Sequence, residues 1–286
     1  MTLKISQLSP ILGAEATGVD LAAGISDTAF AALYQAWLDH NGILVIRDQA
    51  LTHEQHISFS RRIGELDHHV VNQFVPDDYP ELYRVSNKED ENGKYLGNPQ
   101  AGNHWHTDNS YLEPPAKASL LYAVEVPSMG GDTMFTSMYR AYEALSPPLK
   151  HMLDGLSAEH LFERALSNFS TFKATEQQIG GTPPVRHPVV AIHPETGRNS
   201  LYVNPGFTTH IVGLNADESE FLLQFLFRHA IQPQFIYRHR WRAHDLVMWD
   251  NRCTMHYAVQ DFYDRGVRDM YRTTVKGDAR ATRAAV

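Results

Sequence analysis

The sequence predicts a mostly β fold, a β-sandwich or jelly roll with helices packed outside. Three observations carry this. Many short apolar runs have strand character, few windows show helical periodicity, and strands and helices do not alternate as regular βα units. The 286 residues fit one domain, 1–286, with no internal repeat and no low-complexity linker. Apolar residues make up 43% of the chain, enough for a substantial core.

Residues 26–40 read as a helix. Phe30, Leu33 and Trp37 share a face, Ser26 or Asp27 can cap it, and Gly42 follows its end. GILVIRD is then a short buried strand. Thr52 and Gln55 form a capping-box pattern that opens a second helix, stopping near Gly64. Residues 87–103 are polar and rich in Gly, Asn and Asp, a long loop of the kind that can act as a lid. From Lys117 strands dominate, beginning with SLLYAVEV. Short helices are predicted over 139–145 and 148–156, on either side of Pro147. HPVVAI and NSLYV flank PETGR, a hairpin signal. Residues 215–229 form a helix with an N-x-x-E start, and FIYRHRW, DLVMWDN and MYRTTV are strands. In FIYRHRW, Phe235, Tyr237, His239 and Trp241 alternate with Ile236, Arg238 and Arg240, so the two faces differ. The tail ARATRAAV, 279–286, is expected to fray.

Composition excludes several roles. A net charge of -8, with no basic stretch among aromatics, argues against a nucleic-acid binder. No run reaches the roughly 18 apolar residues of a membrane span. The start, MTLKISQLSPILGAEATGVDL, lacks the pattern of a signal peptide. Cys253 is the one cysteine, so no internal disulfide can form and a reducing, cytoplasmic setting is expected. Cys253 itself reads as a small buried thiol at a strand end, rather than as a ligand or as a nucleophile beside His256.

The informative run is NHWHTDNSY. His106 and Asp108 are two apart, and on an extended strand such side chains point the same way. One imidazole and one carboxylate can therefore meet one metal. His256, in DNRCTMHYA just past a strong strand pattern, supplies a third ligand. Two His and one carboxylate leave three coordination positions open, which suits non-heme Fe(II) with a chelating cosubstrate and O2. A lone His-x-Asp arises easily in a chain with 16 His, and His104 keeps zinc open as an alternative.

Two further features favour an anionic cosubstrate. GGDT places Thr133 just after a Gly-Gly turn, where its hydroxyl can donate to an anion. Arg268 and Arg272 are four apart on a strand and face one side, and guanidinium grips carboxylate with paired hydrogen bonds. A zinc hydrolase would use the same three ligands and a bound water, but it needs neither anion group, and no general base is evident beside the ligands. A non-catalytic metal- or ligand-binding β-barrel is the other alternative.

The combination resembles the taurine dioxygenase family, which includes the dichlorophenoxyacetate dioxygenases. The resemblance runs from LGAEATGVDL through FSRRIGEL, HWHTDNSY, GGDT, YEALS, HPETGR, LYVNPGFTTHI and RHRW to DLVMWDNRCTMHYA and MYRTTV. It implies a double-stranded β-helix core, a cupin-like jelly roll, with iron on His106, Asp108 and His256. It also implies that 2-oxoglutarate chelates the iron, with its far carboxylate on Arg268 and Thr133, and that Arg272 and His69 bind the substrate's anionic group. The products would be a hydroxylated substrate, succinate and CO2.

The substrate pocket departs from that of the taurine enzyme. The Tyr, Asn, Ser and one Phe that touch taurine there align with Asn72, Gly102, Ala165 and Leu166, while His69, Phe207 and Arg272 persist. Asn103 and His104, next door, are candidates to substitute. The expected substrate is therefore not taurine but another small organic anion, a longer sulfonate, a sulfate ester or an aryloxy or alkyl carboxylate, with Phe207 and Leu166 lining its apolar side. The alternative for Arg272 is a salt bridge to an acidic residue such as Asp250. Relatives lead one to expect a homo-oligomer.

Overall fold

The computed structural model describes residues 2–169 and 174–283, apart from the side chains of 168 and 169. In chain order, β1 (Lys4–Gln7) and β2 (Ala14–Thr17) precede α1 (Asp27–Asp39), β3 (Ile43–Ile46) and α2 (His53–Arg61). Then come β4 (Tyr83–Ser86), β5 (Ala118–Glu125) and β6 (Thr133–Ser137), followed by α3 (Met138–Glu143) and α4 (Pro147–Leu153). β7 (Ser157–His160), α5 (Phe162–Phe169) and α6 (Glu176–Gly180) lead to β8 (Val185–Pro188), β9 (Val190–Ile192), β10 (Asn199–Leu201) and β11 (Thr208–Ile211). The chain continues through α7 (Ala216–Ala230), β12 (Ile236–His239), β13 (Leu246–Asp250), β14 (Thr254–Ala258) and β15 (Asp269–Val275).

The main sheet has seven strands in the order β1-β2-β3-β13-β5-β15-β4. Its strands pair antiparallel except β2 with β3. Opposite it lies a small sheet ordered β12-β6-β14, with β11-β7-β8 and the hairpin β9-β10 completing the strands. Alternate residues of β13 face two different clusters. Leu246 and Met248 join the cores of α1 and α2, including Trp37 and Phe59, while Val247 and Trp249 pack with Phe135 of β6 between the sheets. This two-sided burial explains the uninterrupted apolar run of the strand. The many short strands between two sheets agree with the predicted mostly β fold.

Local signals behave as the sequence predicts at several ends. Ser26 accepts from the amide of Ala29 to cap α1, and Thr52 with Gln55 completes a capping box on α2. Asn215 and Glu218 do the same on α7, and β9 pairs with β10 around the predicted hairpin. The two short helices predicted here form as α3 and α4, and the one correction is that Pro147 is itself the first residue of α4, where a proline's missing N–H costs nothing. α5 and α6 were not predicted, although Phe162, Ala165, Leu166 and Phe169 have helical spacing in α5 and Thr175 with Gln178 forms a capping box on α6. Within the loop at 87–103, Asn98 exchanges backbone bonds with β4, its amide to the Arg84 carbonyl and its carbonyl from the Ser86 amide, so that end is tied to the sheet edge. The tail expected to fray from 279 is held as far as Arg283. Ile192 donates to the Thr282 carbonyl at 2.8 Å, and Arg283 donates to the Gly155 carbonyl. Residues 284–286 of that tail lie outside the described residues.

Candidate active site

His106 and His256 sit directly opposite one another on neighbouring extended segments. Each backbone N–H bonds the other's carbonyl, at 3.1 and 2.9 Å. Such a mutually bonded antiparallel pair turns both side chains to one face, and the ring centroids lie 4.1 Å apart. β14 supplies His256, held in register by β6, where it faces Phe135. Asp108 reaches the same point differently from expectation. His106 makes only an isolated bridge, and the chain has turned by Asn109, whose φ is 51°. The two-residue spacing still works, but Asp108 is not on a regular strand.

The three side chains converge. His106 Nε2 is 3.4 Å from Asp108 Oδ1, and His256 Nε2 is 3.8 Å from Oδ2. Their potential ligand atoms all lie within 4.8 Å of one another, and all three residues are buried. His106 Nδ1 sits 2.8 Å from the His104 carbonyl, which fixes the tautomer with a proton on Nδ1 and leaves Nε2 as a lone-pair donor. Burial, with His106 next to it, keeps His256 neutral by pushing its pKa far down. Burial would raise Asp108, but the Arg272 guanidinium beside it outweighs this and holds the carboxyl well below its ordinary range. Two imidazoles and one carboxylate fit a divalent metal. A ligand set without thiolate is one that iron accepts.

The surrounding cavity is lined by Val85, Gly102, Leu121, Thr133, Trp249, Arg268 and Arg272 as well as by His106 and His256. Arg268 and Arg272 both reach it because β15 keeps its alternation. The irregularity in its pairing adds the extra residue to β5, at Val124. Arg268 is 3% exposed, with no acidic partner among the described residues. Its Nε donates to the Gly131 carbonyl at 3.0 Å, and Nη2 lies 3.5 Å from Thr133 Oγ1. Burial pushes its pKa down to about 10, so it remains a cation at neutral pH. Gly131 has a φ of +69°, and a Cβ there would stand 3.2 Å from Arg268 Cδ, so the Gly-Gly turn is what lets Arg268 lie against this backbone.

Arg272 is also buried. Its Nη1 donates to Asp108 Oδ1 at 2.6 Å and its Nε has no partner. The expected alternative, a salt bridge to an acidic residue, is met by Asp108 and not by Asp250, which accepts from His193 and from both Nε and Nη2 of Arg252. Arg252 thus neutralises the only carboxylate of a second potential ligand group, His193, Asp250 and Cys253. Cys253 is the small buried thiol expected, and burial drives its pKa far up. His69 stacks on Tyr83 with centroids 3.9 Å apart, on the ring that Arg272 also overlies. Its Nδ1 lies 3.0 Å from the Val71 backbone nitrogen and 3.2 Å from the Val71 carbonyl oxygen, and burial followed by the Arg272 charge lowers its pKa to about 3. His69 is therefore a neutral imidazole.

Phe207 borders the site, its ring 6.2 Å from His106. Asn103 turns its Oδ1 onto His104 Nδ1 at 3.0 Å and is not among the cavity-lining residues. Ala165 is buried and Leu166 half-buried in the cluster that contains Phe207. Asn72 is exposed, 3.5 Å from Gln178 Nε2. Sequence reasoning missed Trp241, whose Nε1 donates to Thr133 Oγ1 at 2.9 Å, and also Ser119 and Asn251 behind Asp108. The alternation in FIYRHRW put Trp241 on one face with Phe235, Tyr237 and His239, but nothing in it pointed to Thr133.

A family model described as Taurine catabolism dioxygenase TauD, TfdA family matches residues 4–274. The chain belongs to the TauD/TfdA family. It is a 2-oxoglutarate-dependent dioxygenase, with Fe(II), 2-oxoglutarate and O2 as its reaction components. It is 36% identical over 290 residues to the alpha-ketoglutarate-dependent 2,4-dichlorophenoxyacetate dioxygenase of Cupriavidus pinatubonensis, covering 98% of this chain and 99% of that one. It is 38% identical over 284 residues to the (S)-phenoxypropionate/alpha-ketoglutarate-dioxygenase of Sphingobium herbicidovorans, covering 96% and 95%. Among solved structures it is similar to a taurine dioxygenase from Burkholderia xenovorans, with a TM-score of 0.80 and 38% identity over 96% of this chain and 91% of that one. AAD-2 in complex with Mn(II) and N-oxalylglycine gives a TM-score of 0.83 at 32% identity, over 99% and 100%. These matches support the dioxygenase reading and lend nothing to the zinc-hydrolase or non-catalytic alternatives. No helix among the described residues is long and apolar enough to cross a membrane.

Proposed function

We propose that this dioxygenase hydroxylates a small organic anion, with iron on His106, Asp108 and His256 and the far carboxylate of 2-oxoglutarate on Arg268 and Thr133. The observation that carries the reading is Arg268. A buried guanidinium without an acidic partner is costly unless an anion arrives, and this one lines the same cavity as two of the three metal-facing residues. Trp241 and Gly131 hold its surroundings. Trp241 donates to Thr133 Oγ1, so the Thr133 hydroxyl proton stays free to point at a carboxylate.

Bound iron, with 2-oxoglutarate and O2, supplies oxidative decarboxylation to succinate and CO2 coupled to hydroxylation. The chain's own share is binding and orientation. The unpartnered Nε of Arg272 and the imidazole of His69 are the groups we assign to the substrate's anionic group. Phe207 and Leu166 offer an apolar wall. Asn103 is the least supported contact, since its carbonyl oxygen already meets His104.

The substrate class follows from this mixture of one cationic end and an apolar side. Aryloxy or alkyl carboxylates, longer sulfonates and sulfate esters fit it better than taurine. Relatives named for dichlorophenoxyacetate and phenoxypropionate, and the sulfonate dioxygenase of Saccharomyces cerevisiae at 32% identity, support that range. Two further elements belong to this reading. The exposed Phe221 and Phe225, four apart on α7, supply apolar surface that a homo-oligomer would cover. The single buried thiol suits a reducing cytoplasm. The test is succinate release with Fe(II), O2 and 2-oxoglutarate across a panel of these anions and their neutral esters or amides. Equal turnover of neutral and anionic analogues would reject the anion pocket.

A further inference from the structure

Behind the metal-facing carboxylate runs a closed ring of hydrogen bonds. The Asp108 backbone N–H donates to Asn251 Oδ1 at 3.2 Å. Asn251 Nδ2 donates to Ser119 Oγ at 3.0 Å. Ser119 Oγ–H donates to Asp108 Oδ2 at 2.7 Å, returning to the same residue. Ser119, Asn251 and Asp108 are 0%, 1% and 3% exposed, so water does not compete for these bonds. The Asn251 amide has a defined orientation, because Trp249 Nε1 also donates to its Oδ1, at 3.2 Å. The scaffold beneath is rigid: Ser119 lies opposite Trp249 in the β5–β13 ladder, and the Asn251 amide bonds the Lys117 carbonyl.

The ring answers a problem set by the backbone. Asp108 lies beyond the single bridge at His106, where the chain is already turning, so no strand fixes its side chain. Arg272 pulls on Oδ1 alone. A carboxylate tethered only to that guanidinium would swing toward it. The Ser119 hydroxyl holds the other oxygen, and each oxygen keeps a lone pair for a metal.

We propose that Ser119 and Asn251 are positioning residues that set the orientation of Asp108 toward the metal. This rests on the assignment of Asp108 as an iron ligand. The Arg268–Thr133 end of the cavity takes no part in the ring, so the effect is confined to metal binding and to the steps that need the metal in place.

Metal-free wild type, Ser119→Ala, Asn251→Ala, Ser119→Thr and His106→Ala would be titrated with Mn(II), following free Mn(II) by electron paramagnetic resonance. Succinate release with Fe(II) would give the KM for 2-oxoglutarate. Ser119→Ala and Asn251→Ala should each weaken Mn(II) binding by about 10-fold or more, with the 2-oxoglutarate KM within about twofold of wild type. Ser119→Thr, which keeps the hydroxyl, should stay within about threefold for Mn(II). A residue that served only to hold the fold would not give this split or this rescue. Should the alanine variants not fold, Asn251→Asp keeps the acceptor for the Asp108 amide but loses the donor to Ser119, and the same loss of about 10-fold is expected. Wild-type Mn(II) affinity in Ser119→Ala, Asn251→Ala or Asn251→Asp would overturn the proposal. If His106→Ala bound Mn(II) like wild type, the ligand assignment itself would fall, which is a separate outcome.

Discussion

Arg272 donates from Nη1 to Oδ1 of Asp108 over 2.6 Å, which ties the residue assigned to the substrate's anion to a residue assigned to the metal. Both are buried, so the pair is little screened by solvent. Removing one partner of a buried, hydrogen-bonded charge pair costs about 2–5 kcal/mol. Arg272→Ala should therefore lower kcat/KM for anionic substrates by at least about 30-fold, the lower end of that range. Neutral analogues should lose less. Arg272→Lys should not restore the wild-type value, because an ammonium cannot span Asp108 and a ligand as a planar fork does. Unchanged substrate affinity in Arg272→Ala would end the assignment.

Arg268→Ala should raise the 2-oxoglutarate requirement far more than the iron requirement. The expected loss is about 2–5 kcal/mol of cosubstrate binding. Thr133→Ala should cost less, about 1–3 kcal/mol, the value of a hydrogen bond to a charged group. Saturation curves for 2-oxoglutarate at fixed Fe(II), and for Fe(II) at fixed 2-oxoglutarate, separate the two effects.

His106→Ala, Asp108→Ala and His256→Ala should each abolish turnover and weaken Fe(II) binding, since each removes one of the three ligands assigned to the iron. His104→Ala should retain much of the metal affinity. The contact that His104 makes to His106 Nδ1 is through its backbone carbonyl, which the substitution leaves in place. Loss of iron in His104→Ala as complete as in His106→Ala would show the ligand set to be wrong.

The pH dependence of stability should carry the signature of His56. Its imidazole is 1% exposed, and burial lowers its pKa from the ordinary 6.5 to about 3. The folded state therefore keeps it neutral where the unfolded chain would bind a proton. Its contribution is fully present above pH 6.5 and is lost as pH falls toward about 3. At pH 5 the loss is about 2 kcal/mol, from about 1.4 kcal/mol per unit below the unfolded value. Urea denaturation of wild type and His56→Gln between pH 7.5 and 5 tests this. The variant should show a shallower fall.

The sequence by itself determined much of this protein. Capping boxes at Thr52 and Asn215, the PETGR hairpin and the apolar run of DLVMWDN are local patterns, and local backbone preference decides them. The two-residue spacing named His106 and Asp108 as a pair, although a turn and not a strand brings Asp108 to the site, and the β alternation that runs through Arg268 and Arg272 put both guanidiniums on one face. What only the tertiary structure decided are the pairings between distant segments. Arg272 meets Asp108 rather than Asp250, because Arg252 and His193 lie nearer Asp250 in space. Trp241 reaches Thr133 from 108 positions away, and Asn251 reaches Asp108 from 143. Such contacts join groups whose sequence separation carries no periodic signal. They depend on sheet register and on which buried donor finds which acceptor first, and those are properties of the assembled core.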